Sequence, residues 1–308
     1  MTERLERRGK FVGALVGTGV GDAIGELAFR HPTREGLVAA VDRQEKLIYT
    51  DDTAMAIGVA SSLVQVGGLD QQHLGDTLRK NYRCEPWRGY ASGPPTVFTR
   101  VECDGLSYPE AAETLYDGQG SFGNGAAMRI AAIGLFFCES KDLYGNACES
   151  ASVTHAHPIG IDGAAVQAQA VAQAVKLDPS APLPAADYVQ MLQDTARTPE
   201  MKQKLSRVRE LIRQEVPCRA AAEELGSGVA VHQSQPFSVY CFLQHPDSFV
   251  EALFCAALNG GDRDTMGAMS CAIAGAYLGV QAIPALWREK LENYHQLERV
   301  ADRLSATW

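Results

Sequence analysis

Two short acidic segments, far apart in the chain, have the residue types of a divalent-cation site. Their oxygen-bearing residues are Thr50, Asp51 and Asp52 in the first segment and Asp262, Asp264 and Thr265 in the second. Carboxylate and hydroxyl oxygens without neighbouring Cys or His favour Mg²⁺ or Mn²⁺ over Zn²⁺. If the two segments face each other in the fold, they could hold two ions between them.

Each acidic segment also has a simpler interpretation, because each directly precedes an apolar run that favours helix. Acidic and hydroxyl side chains at a helix start accept hydrogen bonds from free amides and complement the helix dipole. One carboxylate would be enough for that task, whereas two adjacent carboxylates repel each other unless a proton, water or a cation reduces their charge. Capping and metal binding are therefore both open for these segments.

A glycine-rich segment with the sequence G-S-F-G-N-G, residues 120–125, comes before another apolar run. Converging backbone amides and a helix N-terminus suit a phosphate or pyrophosphate. Phe122 stands between glycines, so it could be exposed and stack on a base, or it could be buried beneath a turn. The segment is not a P-loop, since it lacks the Lys-Ser/Thr ending.

Two histidines, His155 and His157, stand at i and i+2 before a proline. This spacing cannot place both rings on one helix face, so a zinc-protease site is not predicted. One of the two could hydrogen-bond to a substrate while the other packs in the core or lies at the surface.

The glycines of residues 17–26 suggest a dinucleotide-binding turn, but the pattern fails because Asp22 occupies a required glycine position and no strand precedes it. We expect instead a helix whose small residues let a neighbour approach closely, with Asp22 as a local cap.

Hydrophobic periodicity predicts helix nearly everywhere. Apolar residues at i, i+4, i+7 and i+11 would form one face of a helix near residue 200; they are Met201, Leu205, Val208 and Ile212. Thr198 could cap this helix, with Pro199 at its first position. Buried helices are predicted at 126–138, 164–176 and 267–280. Residues 229–242 alternate in polarity, but Pro236 interrupts them, so we expect a loop with a short helix.

Composition and charge limit the function classes. Of 308 residues, 46% are hydrophobic and 21% are charged, as in ordinary globular proteins, and the net charge of −9 argues against nucleic-acid binding.

The linker-like stretches 84–95 and 177–186 are too short to force a domain boundary, so we predict one all-α domain over residues 1–308. The N-terminal segment resembles a signal peptide only weakly, and glycines interrupt its apolar run, so no membrane span is predicted. The eight cysteines lack any C-x-x-C pair and are expected to be reduced thiols in a cytoplasmic protein.

Taken in order, G-D-A-I-G, T-D-D-T, G-N-G-A-A-M-R and G-G-D-R-D-T resemble the motifs of the ADP-ribosylglycohydrolase family. The resemblance implies a compact, single-domain orthogonal helical bundle with a binuclear Mg²⁺ or Mn²⁺ centre. It implies hydrolysis of the glycosidic bond between ADP-ribose and an acceptor, either a protein side chain or the acetyl group of O-acetyl-ADP-ribose. The acceptor, the native metal and the oligomeric state cannot be read from the sequence.

The resemblance also assigns roles to residues. The metal ligands would be the six oxygen-bearing residues of the two acidic segments, and the catalytic residues would be Glu26, Asp52 and Asp262. The substrate-binding residues would be Gly120, Ser121, Phe122, Gly123, Asn124, Gly125 and His155, with Phe122 against adenine and His155 at the ribose.

The chain departs from the family pattern at two positions. The family commonly has a glutamate seven residues after the first aspartate, where this chain has Phe29. Glu26 is the candidate for that role, with Glu35 as the alternative. The second position is Arg263, between two aspartates, where the family often has Thr; its side chain should turn outward or pair with a phosphate or carboxylate.

Cleavage at the ribose anomeric carbon builds positive charge on that carbon in the transition state, and clustered acids stabilise this charge.

Two other functions are compatible with the same residues. One is a metal-dependent nucleotide phosphohydrolase, and the other is a non-catalytic ADP-ribose-binding or crystallin-like protein of the same fold.

Overall fold

The computed structural model describes residues 2–306, and within them the chain forms eighteen α-helices and no β-strand. The helices are α1 (Thr2–Arg30), α2 (Arg34–Arg43), α3 (Asp51–Val66), α4 (Gln71–Cys84), α5 (Gly93–Asp104), α6 (Tyr108–Glu113), α7 (Leu115–Gly118), α8 (Ala131–Phe136), α9 (Leu143–Ser152), α10 (Pro158–Ala174), α11 (Ala185–Thr195), α12 (Pro199–Arg213), α13 (Cys218–Leu225), α14 (Val231–Gln244), α15 (Phe249–Ala257), α16 (Arg263–Leu278), α17 (Ala285–Lys290) and α18 (Tyr294–Ser305). Two short 3₁₀ turns lie at Asn124–Ala126 and Val280–Ala282. The predicted all-α fold is confirmed.

A close antiparallel pair of helices, α1 and α16, runs through the centre of the molecule. Glycines at every fourth position of α1 face α16: a Cβ atom at Gly13, Gly17 or Gly21 would lie 2.2–2.3 Å from a carbonyl oxygen of α16. Gly25 faces the start of α16 in the same way, 2.5 Å from the Arg263 carbonyl. The predicted helix with a small-residue face is confirmed, and this contact brings the C-terminal half of α1 against the second acidic segment.

The apolar length of α1 is explained by this central position. Residues 5–30 contain an 18-residue stretch that is apolar enough to span a membrane by length and composition, with a mean hydropathy of 1.3, but 89% of that stretch is buried inside the protein. One continuous hydrophobic core extends from Phe11 in α1 to Leu304 in α18.

The amphipathic helix predicted near residue 200 is present as α12. It begins at Pro199, and Met201, Leu205 and Val208 are buried. Thr198 does not cap it, however, since its Oγ1 donates to Asp162 Oδ2 at 2.5 Å. The hydroxyl that was expected to cap α12 thus donates its hydrogen bond to a buried carboxylate on α10.

Two other helix predictions need correction. Residues 231–244 form one helix despite Pro236, because nearly every side chain from Ser234 to Leu243 is buried and packing compensates for the lost amide. Residues 126–138 are not one helix: a 3₁₀ turn and irregular turns precede the short α8.

The expectation that all cysteines are free thiols is wrong for one pair. The packing of α13 against α15 brings the Cα atoms of Cys218 and Cys255 to 5.7 Å, and their sulfurs are joined in a disulfide. These residues are 37 positions apart, so no local motif could reveal the pairing.

Candidate active site

The two acidic segments lie at the N-termini of α3 and α16, and the fold places these two helix starts together. Thr50 precedes α3 and Asp262 precedes α16. The hydroxyl of Thr265, in the first turn of α16, donates to Asp52 Oδ2 at 3.4 Å. Because both helix starts carry positive partial charge, they partly offset the negative charge collected between them.

Capping does not account for these acids. Thr50 caps α3 through a 3.4 Å hydrogen bond from the Asp52 amide, whereas Asp262 makes no side-chain capping bond to a described residue of α16. Asp262 Oδ2 instead accepts a 2.6 Å hydrogen bond from Asn124 Nδ2 of the glycine-rich segment. The side chain of Asp262 therefore faces the space between the segments.

Asp22 anchors this arrangement from α1. Its buried carboxylate accepts hydrogen bonds from the amides of Thr50 and Thr53, at 3.0 Å each, and from their hydroxyls at 2.9 and 2.6 Å. It thus caps a neighbouring helix, which corrects the expectation of a local cap in its own helix. Burial outweighs these hydrogen bonds and raises the pKa of Asp22 to about 6.

The acids Asp51, Asp52 and Asp264 disfavour one another's ionised forms. Burial, followed by repulsion from neighbouring carboxylates, raises the pKa of Asp51 to about 7 and that of Asp264 to about 8. The same causes raise the pKa of Asp52 well above its ordinary value. Within residues 2–306, Asp52 Oδ1 is buried and has no hydrogen-bond partner. A site with this excess of negative charge and an unsatisfied oxygen has the character expected of a cation site.

The glycine-rich segment is held against the acids by its backbone and by Asn124. The Asn124 amide donates to the Val229 carbonyl at 2.9 Å, and its side chain also donates to Ser234 Oγ at 3.1 Å. Gly120 has φ +73°, and a Cβ atom there would lie 2.6 Å from the His157 amide nitrogen. The segment continues into a 3₁₀ turn rather than directly into an α-helix, so any anion would be bound by loop amides and not by a helix N-terminus.

His155 lies beneath the glycine-rich segment as a neutral ring. Its Nδ1 is 2.8 Å from Thr154 Oγ1, and burial together with the charge of Arg129 lowers its pKa to about 3. A Cβ atom at Gly125 would lie 3.2 Å from His155 Cε1, so this glycine leaves room for the ring. The ring of His157, the other histidine of the pair, packs on Phe122 as one of the expectations had it, and its side chain also caps α10, which was not predicted.

Two cavities meet at the acids. Both are lined by Asp51, Gly89 and Asp264. The smaller, with a volume of about 250 Å³, also contains most of the predicted site residues. These are Asp52, Asp262 and Thr265 of the acidic segments and Ser121, Gly123, Asn124, Gly125 and His155 of the substrate-binding set. The larger, of about 380 Å³, is lined by Thr50 and Glu26, and by the exposed Trp87 at its rim.

Some predicted residues lie outside both cavities. Gly120 shapes the loop without lining either, and Phe122 lies next to them, 45% exposed between the rings of His157 and His232. Glu35 is exposed on α2 and lines neither, whereas Glu26 faces the larger cavity. Arg263 turns away from the acids and donates to the Ala257 carbonyl at 2.5 Å.

Sequence reasoning missed three contributors to the site. Arg129 is fully buried and donates to the Gly125 carbonyl and to Thr154 Oγ1, at 3.1 and 2.8 Å. Gly89 and Trp87 come from the loop between α4 and α5. Arg129 ends the G-N-G-A-A-M-R motif, which offered a signal, but nothing local marks Gly89 or Trp87 as neighbours of the acids.

Comparison with known proteins assigns the chain to a family. The model of the ADP-ribosylglycohydrolase family matches residues 3–308. The chain belongs to the ADP-ribosylglycohydrolase family. ADP-ribosylhydrolase ARH3 of Homo sapiens is 31% identical to it, covering 96% of this chain and 92% of the relative. The Danio rerio protein of the same name is 33% identical, covering 96% and 90%.

A solved structure supports the fold. A chain described as an ADP-ribosylglycohydrolase-related protein complex aligns with a TM-score of 0.75 at 24% identity, covering 98% of this chain and 99% of that one. The family model confirms the resemblance drawn from the motifs, and membership in the ADP-ribosylglycohydrolase family identifies the chain as a hydrolase.

Proposed function

We propose that this member of the ADP-ribosylglycohydrolase family hydrolyses the bond between the ribose anomeric carbon of ADP-ribose and an acceptor, and that it acts in the cytoplasm. The observation that carries the proposal is the junction of two cavities at Asp51, Gly89 and Asp264. A glycosidic bond has two sides, and a site that cuts it needs a space for each, with the reacting groups between them.

The smaller cavity suits the ADP-ribose side. The glycine-rich segment offers backbone amides for the phosphates, and the neutral His155 ring lies beside it, close to where the ribose would be. The exposed ring of Phe122 lies at the edge, where the adenine could stack. The larger cavity then receives the acceptor.

The residues present fit two Mg²⁺ ions, with Mn²⁺ as the alternative. The unpartnered Oδ1 of Asp52 and the raised pKa values of Asp51 and Asp264 support this proposal, because burial and neighbouring carboxylates disfavour the charged forms of these acids. The ligands would be the hard oxygens of Thr50, Asp51, Asp52, Asp262, Asp264 and Thr265. When bound, the cations would supply Lewis acidity toward ribose hydroxyls and water.

The acids of this chain have two roles in the proposed reaction. Asp52 and Asp262 supply negative charge beside the anomeric carbon, which becomes positive in the transition state. Glu26 lines the larger cavity together with Asp264, on the acceptor side, where its carboxyl can exchange a proton with the leaving group or with water.

The experiment is to detect products by chromatography after incubation with arginine-linked, serine-linked and O-acetyl ADP-ribose, each with Mg²⁺ and with chelator. We expect Mg²⁺-dependent release of intact ADP-ribose from at least one class, which also identifies the acceptor. Release of AMP or phosphate would favour the phosphohydrolase, and binding of ADP-ribose without any product would favour a non-catalytic protein.

A further inference from the structure

Three metal-binding side chains meet at a corner of the fold formed by α13, α14 and α15. Cys218 is the first residue of α13, His245 directly follows α14, and Cys255 lies on α15. Their ligand atoms all lie within 4.8 Å of one another. In the structure the two sulfurs form a disulfide, and His245 Nε2 is 3.6 Å from Cys218 Sγ.

The backbone around these three side chains is well fixed. The hydroxyl of Tyr240, on α14, donates to the Val216 carbonyl, two residues before Cys218. The turn after His245 is closed by a 3.2 Å hydrogen bond from the Ser248 amide to the His245 carbonyl. Cys255 is buried on a helix of the main core. The three ligands therefore stay close whether or not the sulfurs are bonded to each other.

The chemistry of the three side chains is that of a zinc site. Two thiolates and an imidazole are the donors that Zn²⁺ prefers, in tetrahedral sites with a fourth ligand. Cys218 and His245 are half-buried, so an ion and a water molecule can reach them from solvent.

We propose that Cys218, His245 and Cys255 bind one Zn²⁺ when the disulfide is reduced, with water as the fourth ligand. A thiol reductant delivers two electrons and two protons to the S–S bond, giving two cysteine thiols. Zn²⁺ then replaces both thiol protons, which are released to solvent. The cytoplasm, where we propose that the chain acts, maintains such reducing conditions.

The position of this cluster links it to the acids. Helix α13 leads into Ser227 and α15 leads into Asp262, and the Asp262 amide donates to the Ser227 carbonyl at 2.7 Å. A disulfide or a zinc ion at Cys218 and Cys255 therefore fastens together two helices whose ends meet at the acidic segment.

Cobalt titration tests the zinc site independently of any enzymatic activity. The full chain is reduced with a phosphine, stripped with chelator and titrated with Co²⁺ without oxygen. We expect one equivalent of Co²⁺ to produce a thiolate-to-cobalt charge-transfer band, which stoichiometric Zn²⁺ removes. Oxygen-ligated Co²⁺ among the aspartates gives no such band. Absence of the band from the reduced chain overturns the proposal.

Variants and the oxidised chain distinguish the three ligands from other thiols. His245→Ala and Cys218→Ser should each weaken Co²⁺ binding in this band by at least about tenfold. Cys84→Ser, at an exposed free cysteine, should leave it unchanged. A band of unchanged affinity in His245→Ala, or an equal band in the disulfide form, would show that other thiols bind the metal and would contradict the assignment.

Discussion

At the scale of single residues, the site is defined by carboxylates that the protein buries without neutralising them. Asp22 differs from the others because the amides and hydroxyls of Thr50 and Thr53 donate hydrogen bonds to it, although burial still raises its pKa. The adjacent Asp51 and Asp52 could be recognised in the sequence, since two neighbouring acids exceed what a helix cap needs. The role of Asp22 could not, because its partners lie 28 and 31 residues away.

The first prediction concerns the stability of the metal-free chain. Asp51 and Asp264 have pKa values of about 7 and 8 in the folded chain, against an ordinary value of 3.8. The folded chain therefore binds more protons than the unfolded chain over this range, and its free energy of unfolding falls as pH rises from about 4 to about 8. Denaturant unfolding in chelator at pH 5 and pH 8 measures the decrease.

Two further unfolding measurements test the cause of this pH dependence, one with Mg²⁺ and one with a variant. Saturating Mg²⁺ should reduce this pH dependence, because the ions stabilise the ionised carboxylates in the folded chain. Asp264→Asn should reduce it in chelator, since one titrating group is removed. The same pH slope with and without Mg²⁺ would show that these acids do not hold the metal.

Phe122 provides the second prediction. If adenine stacks on its exposed ring, Phe122→Ala should weaken ADP-ribose binding by about 1–3 kcal/mol, measured by calorimetry. Phe29→Ala is the control, because Phe29 is 47% exposed against 45% for Phe122 and lines neither of the two cavities. Equal affinities of Phe122→Ala and the unsubstituted chain would mean that the ring contributes only to packing against His157 and His232.

At the scale of elements, the glycine face of α1 determines how closely α16 approaches. This contact places Gly25 against Arg263 and Asp264, and so brings Glu26 and Asp22 to the second acidic segment. The spacing of the glycines could be read from the sequence as a small-residue helix face. Their partner helix, more than 200 residues later, could not.

The third prediction tests this helix contact. In Gly21→Ala the new Cβ would lie 2.2 Å from the Gly267 carbonyl oxygen, so we expect the free energy of unfolding to fall by about 1–3 kcal/mol. Gly9→Ala, in the same helix but with nothing within 4 Å, should raise it by about 0.5–1 kcal/mol. Denaturant unfolding compares the two, and a Gly21→Ala protein as stable as Gly9→Ala would contradict the close packing.

Helix α14 shows where element prediction failed. A surface helix can be recognised in a sequence because its apolar residues recur on one face. The side chains of α14 are buried on nearly all sides, so its apolar residues show no helical period. Because proline interrupts regular hydrogen bonding, Pro236 led to the prediction of a loop. Tertiary packing, which is not visible locally, determined the outcome.

At the scale of the whole molecule, the order of the motifs predicted the family and the fold. The motifs T-D-D-T and G-G-D-R-D-T lie at the starts of α3 and α16, whereas G-D-A-I-G lies within α1 and G-N-G-A-A-M-R lies in the turns before α8. The join between the two cavities could not be predicted. It depends on the loop from Glu85 to Ser92, which carries Trp87 and Gly89, and on the approach of α3 to α16. Only the folded chain brings these parts together.

Asp262 is the residue at which these parts meet: it precedes α16, binds the Ser227 carbonyl through its amide and binds Asn124 through its side chain. The most direct measurement is therefore ADP-ribose release by Asp262→Asn at saturating Mg²⁺, beside the exposed control Asp104→Asn. We expect a loss of about 100-fold or more for Asp262→Asn, on the scale of lost metal-site interactions, and none for Asp104→Asn. Undiminished release by Asp262→Asn, with the same Mg²⁺ dependence as the unsubstituted chain, would contradict it.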